Sequence, residues 1–251
     1  MGKSIEKLVE EAGIKIKQLT CWDPHLDSLK LKVIKREELF KEKSKEYEYA
    51  GISTKPHTLK GKFMAQLEKS FYPSIMAAQY LPFNETILVI PQNFAYSNES
   101  GLATILGHEI VHRCQAVNNP KFIETYEYIF KEFIGGSAFD KNNSKIAKKI
   151  KKYTQTFMML VEGDASFVEG QMKKIFYTDA KIIQSQESIL IGLLYLLFSL
   201  GMGDISIIKK GMQYGKGREI VGNIYEKEGR KGVNDLYNLT LGELYDKFNK
   251  N

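Results

Sequence analysis

One short stretch of the chain constrains its fold more than any other. Residues 101–117 read GLATILGHEIVHRCQAV and contain His108, Glu109 and His112 in the spacing H-E-x-x-H. On an α-helix, positions i and i+4 lie on one face, so the two histidines can offer imidazole nitrogens to one metal ion. The adjacent Glu109 can hold and deprotonate a metal-bound water. The motif therefore predicts a metal-binding helix.

The residues around the motif support this helix. Apolar side chains recur at helical spacing between residues 102 and 111, and Ser and Asn residues at 97–100 can cap the first turn. Asn118, Asn119 and Pro120 are typical of a helix end. Two buried histidines in an ordinary core helix are the alternative interpretation. The chain has only four histidines, and two of them at this spacing around a glutamate favour the metal site.

A zinc site needs a third protein ligand and an open position for water. The extended motif of the metzincins is excluded, because Gln115 and Asn118 stand where its additional residues would fall. The two remaining histidines, His25 and His57, lie outside any helical pattern. We expect both to be loop or surface residues.

The better candidate for the third ligand lies downstream, in residues 160–170, which read LVEGDASFVEG. Glu162 stands among apolar residues, and a buried carboxylate is costly unless it is paired or binds a metal. Asp164 and Glu169 are the rival ligands. Alternatively, all three carboxylates are solvated or pair with the lysines at 173 and 174. We expect Glu162 to be the ligand.

Hydrophobic periodicity predicts strands before the H-E-x-x-H helix and helices after it. The elements expected before it are helices at 3–18, 36–50 and 59–69, a strand at 29–33, and a hairpin of strands at 74–80 and 86–90. The helices expected after it are 121–134, 145–177, 188–201, 213–227 and 240–249. Small residues at 163 and 165 should let the 145–177 helix approach the H-E-x-x-H helix closely.

This order of elements predicts an α+β fold. A small N-terminal mixed sheet with helices should precede the H-E-x-x-H helix, and a mostly helical C-terminal lobe should follow it. We expect one domain over residues 1–251, with an N-terminal α/β lobe at 1–97 and a helical lobe at 98–251. A chain of 251 residues with 43% apolar residues can bury a sizeable core.

Charge and apolar patterning limit the partners of the protein. The net charge of +6 comes from scattered lysines and a run at 145–152, without aromatic platforms or a nucleic-acid-reading motif, so no nucleic-acid partner is expected. Residues 189–202, ILIGLLYLLFSLGM, carry no charge but are shorter than the roughly 20 residues of a spanning helix. They are interpreted as a core helix, with weak membrane contact as the alternative.

The cysteines and the N-terminus favour a cytoplasmic protein. The charged start of the chain has no apolar signal segment. Cys21 and Cys114 belong to no C-x-x-C pair, and we expect both thiols to be reduced rather than joined in a disulfide.

The H-E-x-x-H motif and the later E-G-x-A at 162–165 together resemble the gluzincin branch of the zincin metallopeptidases. The fuller string V-E-G-D-A is similar to that of minimal gluzincin-like domains. The resemblance covers about residues 74–250. It implies a zincin-like fold in which a small sheet precedes the metal helix. A helical lobe follows that helix and supplies the glutamate ligand. Thermolysin-type members carry an Asp four residues after that glutamate, where this chain has Ser166.

The resemblance implies a zinc-dependent peptidase. In it, His108, His112 and Glu162 bind Zn²⁺, and Glu109 is the general base and proton shuttle. An extended peptide or protein substrate is implied to pair with strand 74–80 by β-addition. Peptidases of this type also hydrogen-bond the tetrahedral oxyanion, and Tyr214, expected at a helix start, is the candidate.

Alternatives to this reading stay open. Two imidazoles and a carboxylate also suit Fe²⁺, Mn²⁺ or Co²⁺. Tyr214 can equally be an ordinary residue at a helix boundary, and Asp164 can be the acceptor that orients a ligand histidine. The alternative function is a non-catalytic zincin-like module that binds a protein or membrane partner. Such a module does not need Glu109, whose presence favours the enzyme.

Overall fold

A small three-stranded sheet lies ahead of the H-E-x-x-H helix in the chain. This computed structural model describes residues 3–49, 51, 66, 69–134, 144–184, 189, 193 and 206–250. The strands are β1 (Lys30–Val33), β2 (Ala78–Leu81) and β3 (Thr86–Val89), in the order β1-β3-β2. The central β3 pairs in parallel with β1 and antiparallel with β2. The predicted hairpin is confirmed, although β2 begins later than expected because residues 69–75 are helical.

Helices make up most of the described chain, and together with the small mixed sheet they confirm the predicted α+β class. They are α1 (Ile5–Thr20), α2 (Leu39–Tyr49), α3 (Glu99–Asn118), α4 (Pro120–Ile134), α5 (Ser144–Ile175), α6 (Ser206–Asp235) and α7 (Leu241–Lys250). The predicted helices at 59–69 and 188–201 lie almost entirely outside the described residues, as does His57. Within the described ranges, no helix combines the length and the apolar character needed to cross a bilayer.

The H-E-x-x-H helix α3 runs through the middle of the core. It packs against α1 on one side and α5 on another, and β2 lies alongside it. Its apolar face is fully buried at Leu106, Ile110 and Val111. The side chains that α1 buries against this core include Leu8, Val9, Ala12 and Ile16. The core thus fixes α3 from several directions, which leaves little freedom to the residues it presents.

The fully buried Arg113 joins α3 to the chain around it. Its guanidinium donates hydrogen bonds to the backbone carbonyl oxygens of Pro24 and His25, at 2.6 and 2.8 Å, and to Ser28 Oγ at 2.7 Å. It also pairs with Glu85 in the turn between β2 and β3, at 3.2 Å. One side chain of the helix therefore holds both the loop before β1 and the hairpin turn in place.

Helices α5 and α6 approach each other at two glycines. A Cβ added to Gly163 would lie 2.6 Å from the carbonyl oxygen of Gly217, and one added to Gly217 would collide with the carbonyl oxygen of Met159. The prediction that the small residue at 163 serves the approach to α3 is therefore wrong, because this position faces α6. The sequence shows that a small residue permits a close contact but not which helix makes it.

Helix α6 is longer than the predicted helix at 213–227. Tyr214 therefore lies inside the helix, and its predicted position at a helix start is wrong. Glycines around this position suggest a boundary, but a helix tolerates glycine where close packing offsets its low helix propensity. The break in α6 comes later, at Gly229, whose φ of +66° and ψ of −170° form a conformation that is essentially restricted to glycine.

Candidate metal centre

Helix α3 presents both histidines of the motif toward α5. Its N-terminus is capped by Asn98, whose side-chain oxygen accepts a hydrogen bond from the Gly101 N–H at 2.8 Å. The rings of His108 and His112 lie edge-on, with centroids 4.8 Å apart. Glu162 of α5 completes a group whose potential ligand atoms all lie within 4.8 Å of one another. The three residues predicted as metal ligands are therefore brought together.

Hydrogen bonds on the outer side of each imidazole fix its orientation. His108 Nδ1 lies 3.1 Å from Glu169 Oε2, and His112 Nδ1 lies 2.9 Å from Gln115 Oε1. An ionised carboxylate can only accept hydrogen bonds, so His108 donates its Nδ1–H to Glu169. Each Nε2 is then left facing Glu162, with both Nε2 atoms 3.5 Å from the same oxygen, Oε2.

These distances fit a metal better than direct hydrogen bonds. Two ligands about 2.0–2.1 Å from one tetrahedral ion lie about 3.3 Å apart, whereas an N–H···O hydrogen bond is usually about 2.9 Å long. Glu162 Oε2 is also buried without a hydrogen-bond partner. Two imidazole nitrogens and one carboxylate oxygen thus converge on a single point, and this donor set suits a divalent cation such as zinc.

The charges around the site favour a positive species there. Burial lowers the pKa of His108, but the carboxylates of Glu162 and Glu169 outweigh it and raise that pKa to about 10. Burial raises the pKa of Glu162, but the two histidines outweigh it and hold that pKa well below its usual range. A metal must therefore compete with protons for these histidines.

Glu109 lies between the histidines and the edge strand β2. Its Oε2 accepts a hydrogen bond from the Tyr80 N–H at 2.7 Å. Burial raises the pKa of Glu109, while His112, His108 and this N–H oppose the shift. Because a raised pKa brings a carboxylate closer to neutrality, Glu109 is suited to accept and return a proton.

A cleft of about 320 Å³ opens above these residues. Its walls come from β2, α4, α5 and α6, and include Met76, Ala78, Tyr80, Phe122, Tyr126 and Tyr214. The ring of Tyr214 lies 6.0 Å from that of His108 and is tilted by 30°. Burial and the carboxylates of Glu162 and Glu109 raise its pKa, so this phenol stays protonated and can donate a hydrogen bond in the cleft.

The other candidates from the sequence lie elsewhere. Glu169 contacts His108 from outside, and Asp164 touches neither histidine, so neither belongs to the converging group. His25 lies exposed in the loop before β1, as expected for a loop residue. Cys21 and Cys114 are both free thiols, as predicted.

The contact between Gln115 and His112 was not predicted from the sequence. Gln115 is fully buried, three positions after His112 on the same helix. Positions three apart on a helix are neighbours, so a polar residue at this spacing on a buried face is a recognisable partner for a histidine. Glu169, seven residues after Glu162 on α5, fills the corresponding place for His108.

Comparisons with known proteins bear on the fold alone. No protein-family model and no curated protein matches the chain. A similar solved structure comes from Chloroflexus aurantiacus and is described as "a putative hydrolase with a novel fold". It has a TM-score of 0.66 and 12% sequence identity, and the match covers 98% of this chain and 88% of that one. The two proteins share an architecture over nearly their whole lengths.

Proposed function

We propose that this protein is a zinc-dependent peptidase of the gluzincin type. The observation that carries the proposal is the convergence of His108 Nε2, His112 Nε2 and Glu162 Oε2, with the two nitrogens each 3.5 Å from that oxygen. Glu109 stands beside them, as the hydrolytic motif requires. The description of the Chloroflexus protein as a hydrolase is consistent with this reaction class.

His108, His112 and Glu162 would hold the zinc. When bound there, zinc polarises a carbonyl group and lowers the pKa of water to about 7. Glu109 takes a proton from the attacking water and returns it to the leaving amide nitrogen. The Tyr80 N–H holds its carboxylate at the cleft wall during both transfers. Tyr214, which is protonated, donates a hydrogen bond to the oxygen on which negative charge develops.

The edge strand β2 supports a peptide as the substrate. The Ile90 N–H donates to the Ala77 carbonyl at 2.8 Å, so the backbone of residue 77 points toward β3. Alternate residues of a strand point to opposite edges. Ala78 and Tyr80 therefore turn their backbone groups toward the cleft, and one of these, the Tyr80 N–H, is bonded to Glu109. Within the described part of the chain, the Ala78 N–H and both carbonyls have no backbone partner, so they can pair with an extended chain.

Metal content and turnover test the proposal together. Elemental analysis of the full chain should find about one zinc per molecule, and Glu162→Ala should lose it. The exposed Glu124 of α4 provides the matched control, because Glu124→Ala removes a carboxylate that does not line the cleft. A fluorogenic peptide library should be cleaved by the wild type, and Glu109→Gln should keep the zinc but lose turnover by about 10²-fold or more.

Two outcomes would contradict the proposal. A wild type without metal after incubation with zinc would exclude the metal site itself. A wild type that binds zinc but cleaves no peptide would leave the metal site intact and favour the non-catalytic binding module instead.

A further inference from the structure

A buried ion pair lies behind the metal centre. Asp164 of α5 is fully buried, two residues after Glu162. Arg230 of α6 donates two hydrogen bonds to it, at 2.6 Å to Oδ1 and 3.0 Å to Oδ2. The hydroxyl of Tyr237 donates a third at 3.0 Å. A carboxylate held by this many donors has one orientation.

The Asp164 carboxylate in turn fixes the amide of Gln115. Gln115 Nε2 donates to the Val161 carbonyl oxygen at 2.9 Å and to Asp164 Oδ2 at 3.3 Å. Both N–H groups are thereby used, and the amide cannot turn over without losing them. Gln115 Oε1 must then face His112, which it contacts at Nδ1 at 2.9 Å. His112 accordingly carries its proton on Nδ1 and keeps Nε2 for the site.

The far end of this chain of contacts belongs to the C-terminal part of the protein. Arg230 follows Gly229, whose glycine-restricted conformation breaks α6 at this point. The guanidinium lies over the ring of Trp22, 4.9 Å from its centroid. Tyr237 comes from the turn after α6. Residues 229–237 thus reach the H-E-x-x-H helix indirectly, through the contacts of Arg230 and Tyr237 with Asp164 and of Asp164 with Gln115.

We propose that Arg230 and Asp164 are positioning residues of the metal centre. They lock the Gln115 amide in the one orientation that makes His112 a metal ligand through Nε2. The inference rests on the proposed metal site, but it adds a separate claim, which is that the C-terminal segment sets the metal affinity. Partners of metal-binding histidines commonly change that affinity by roughly 10- to 100-fold.

The test must separate this role from a purely structural one. Removing one partner of a buried ion pair destabilises the fold, whereas replacing both with apolar residues of similar size is often tolerated. The triple variant Asp164→Leu/Arg230→Met/Tyr237→Phe removes the whole cluster and leaves Gln115 held by Val161 alone. Gln115→Met removes the contact to His112 directly. Lys231→Met, beside Arg230 but exposed and paired with Asp235, is the matched control.

Zinc affinity of the full chain, measured by competition with a chromophoric chelator, is the first readout. The triple variant and Gln115→Met should each bind zinc roughly 10- to 100-fold more weakly than the wild type. Arg230→Lys, which retains the charge beside Asp164, should bind zinc more tightly than the triple variant and more weakly than the wild type. The second readout is the visible absorption spectrum at saturating cobalt, which reports ligand geometry and should change in the first two variants. Lys231→Met should match the wild type in both.

The possible failures are distinguishable. If the wild type binds zinc and Gln115→Met and the folded triple variant bind it equally tightly, the positioning role is overturned and the proposed function stands. If the triple variant does not fold, Gln115→Met with an unchanged affinity and cobalt spectrum overturns the inference by itself. If the wild type binds no zinc, the proposed function and the inference fall together.

Discussion

Substituting Gly163 by alanine tests how closely the metal centre depends on the contact between α5 and α6. The new Cβ would lie 2.6 Å from the Gly217 carbonyl oxygen, and the carbonyl carbon is closer still. Both obstacles are backbone atoms, so no side chain can move aside. The two helices must separate by about 1.1 Å to bring that carbon from 2.3 Å to the 3.4 Å of an ordinary contact.

The magnitude follows from two opposing effects. Alanine in place of glycine favours a helix by about 1 kcal/mol. Overpacking a close helix contact costs typically about 1–3 kcal/mol, and more where the backbone itself must shift. We expect Gly163→Ala to lower the free energy of unfolding by about 2 kcal/mol. In a chain of this size that corresponds to a melting temperature lower by about 4–8 °C.

The catalytic effect should exceed the loss of stability. Gly163 follows Glu162, and Gly217 lies one helical turn after Tyr214, so separating the helices moves these two cleft residues apart. A displacement of about 1 Å can cost about 10²-fold in rate. Calorimetry measures the first effect and peptide turnover the second. Gly215→Ala is the control, since nothing lies within 4 Å of its added Cβ. Equal stability of the two variants would refute the reasoning.

Three further perturbations follow from buried or capping polar groups. Burial raises the pKa of Glu46 to about 7, so the wild type should lose about 3 kcal/mol of unfolding free energy between pH 4.5 and pH 8. Glu46→Gln, which keeps the acceptor for the Phe83 N–H, should abolish that loss in urea titrations; an unchanged pH profile would contradict the assignment. Arg113→Met should cost about 3 kcal/mol in the same assay, because buried carbonyl groups lose their donors. Asn98→Ala should cost about 1 kcal/mol through the lost helix cap, and Asn98→Asp should retain it.

The sequence is sufficient for features that depend on neighbours along the chain. The H-E-x-x-H helix, its capping region and the β2–β3 hairpin all follow from local periodicity and turn chemistry. Glu162 could be chosen over Glu169 because a carboxylate among apolar residues needs a partner when buried. The structure places Glu162 beside the Nε2 atoms of both histidines and Glu169 beside Nδ1 of His108.

Features that depend on packing between distant segments could not be predicted. The parallel pairing of β1 with β3 joins residues more than fifty positions apart, and no local pattern specifies it. Gly163 contacts α6 and not α3 because of the way α5 crosses its neighbours, and this crossing depends on packing. Tyr214 reaches the cleft from within a helix, since the nearby Gly217 serves the contact with α5 instead of a turn.

The position of β2 at the edge of its sheet also bears on association between molecules. An unpaired edge strand offers backbone groups to any other chain and is a common starting point for aggregation. Here that edge is four residues long and faces a cleft, and one of its outward N–H groups is already bonded to Glu109. The carboxylate proposed as the general base therefore also helps to keep the sheet from growing into its neighbours.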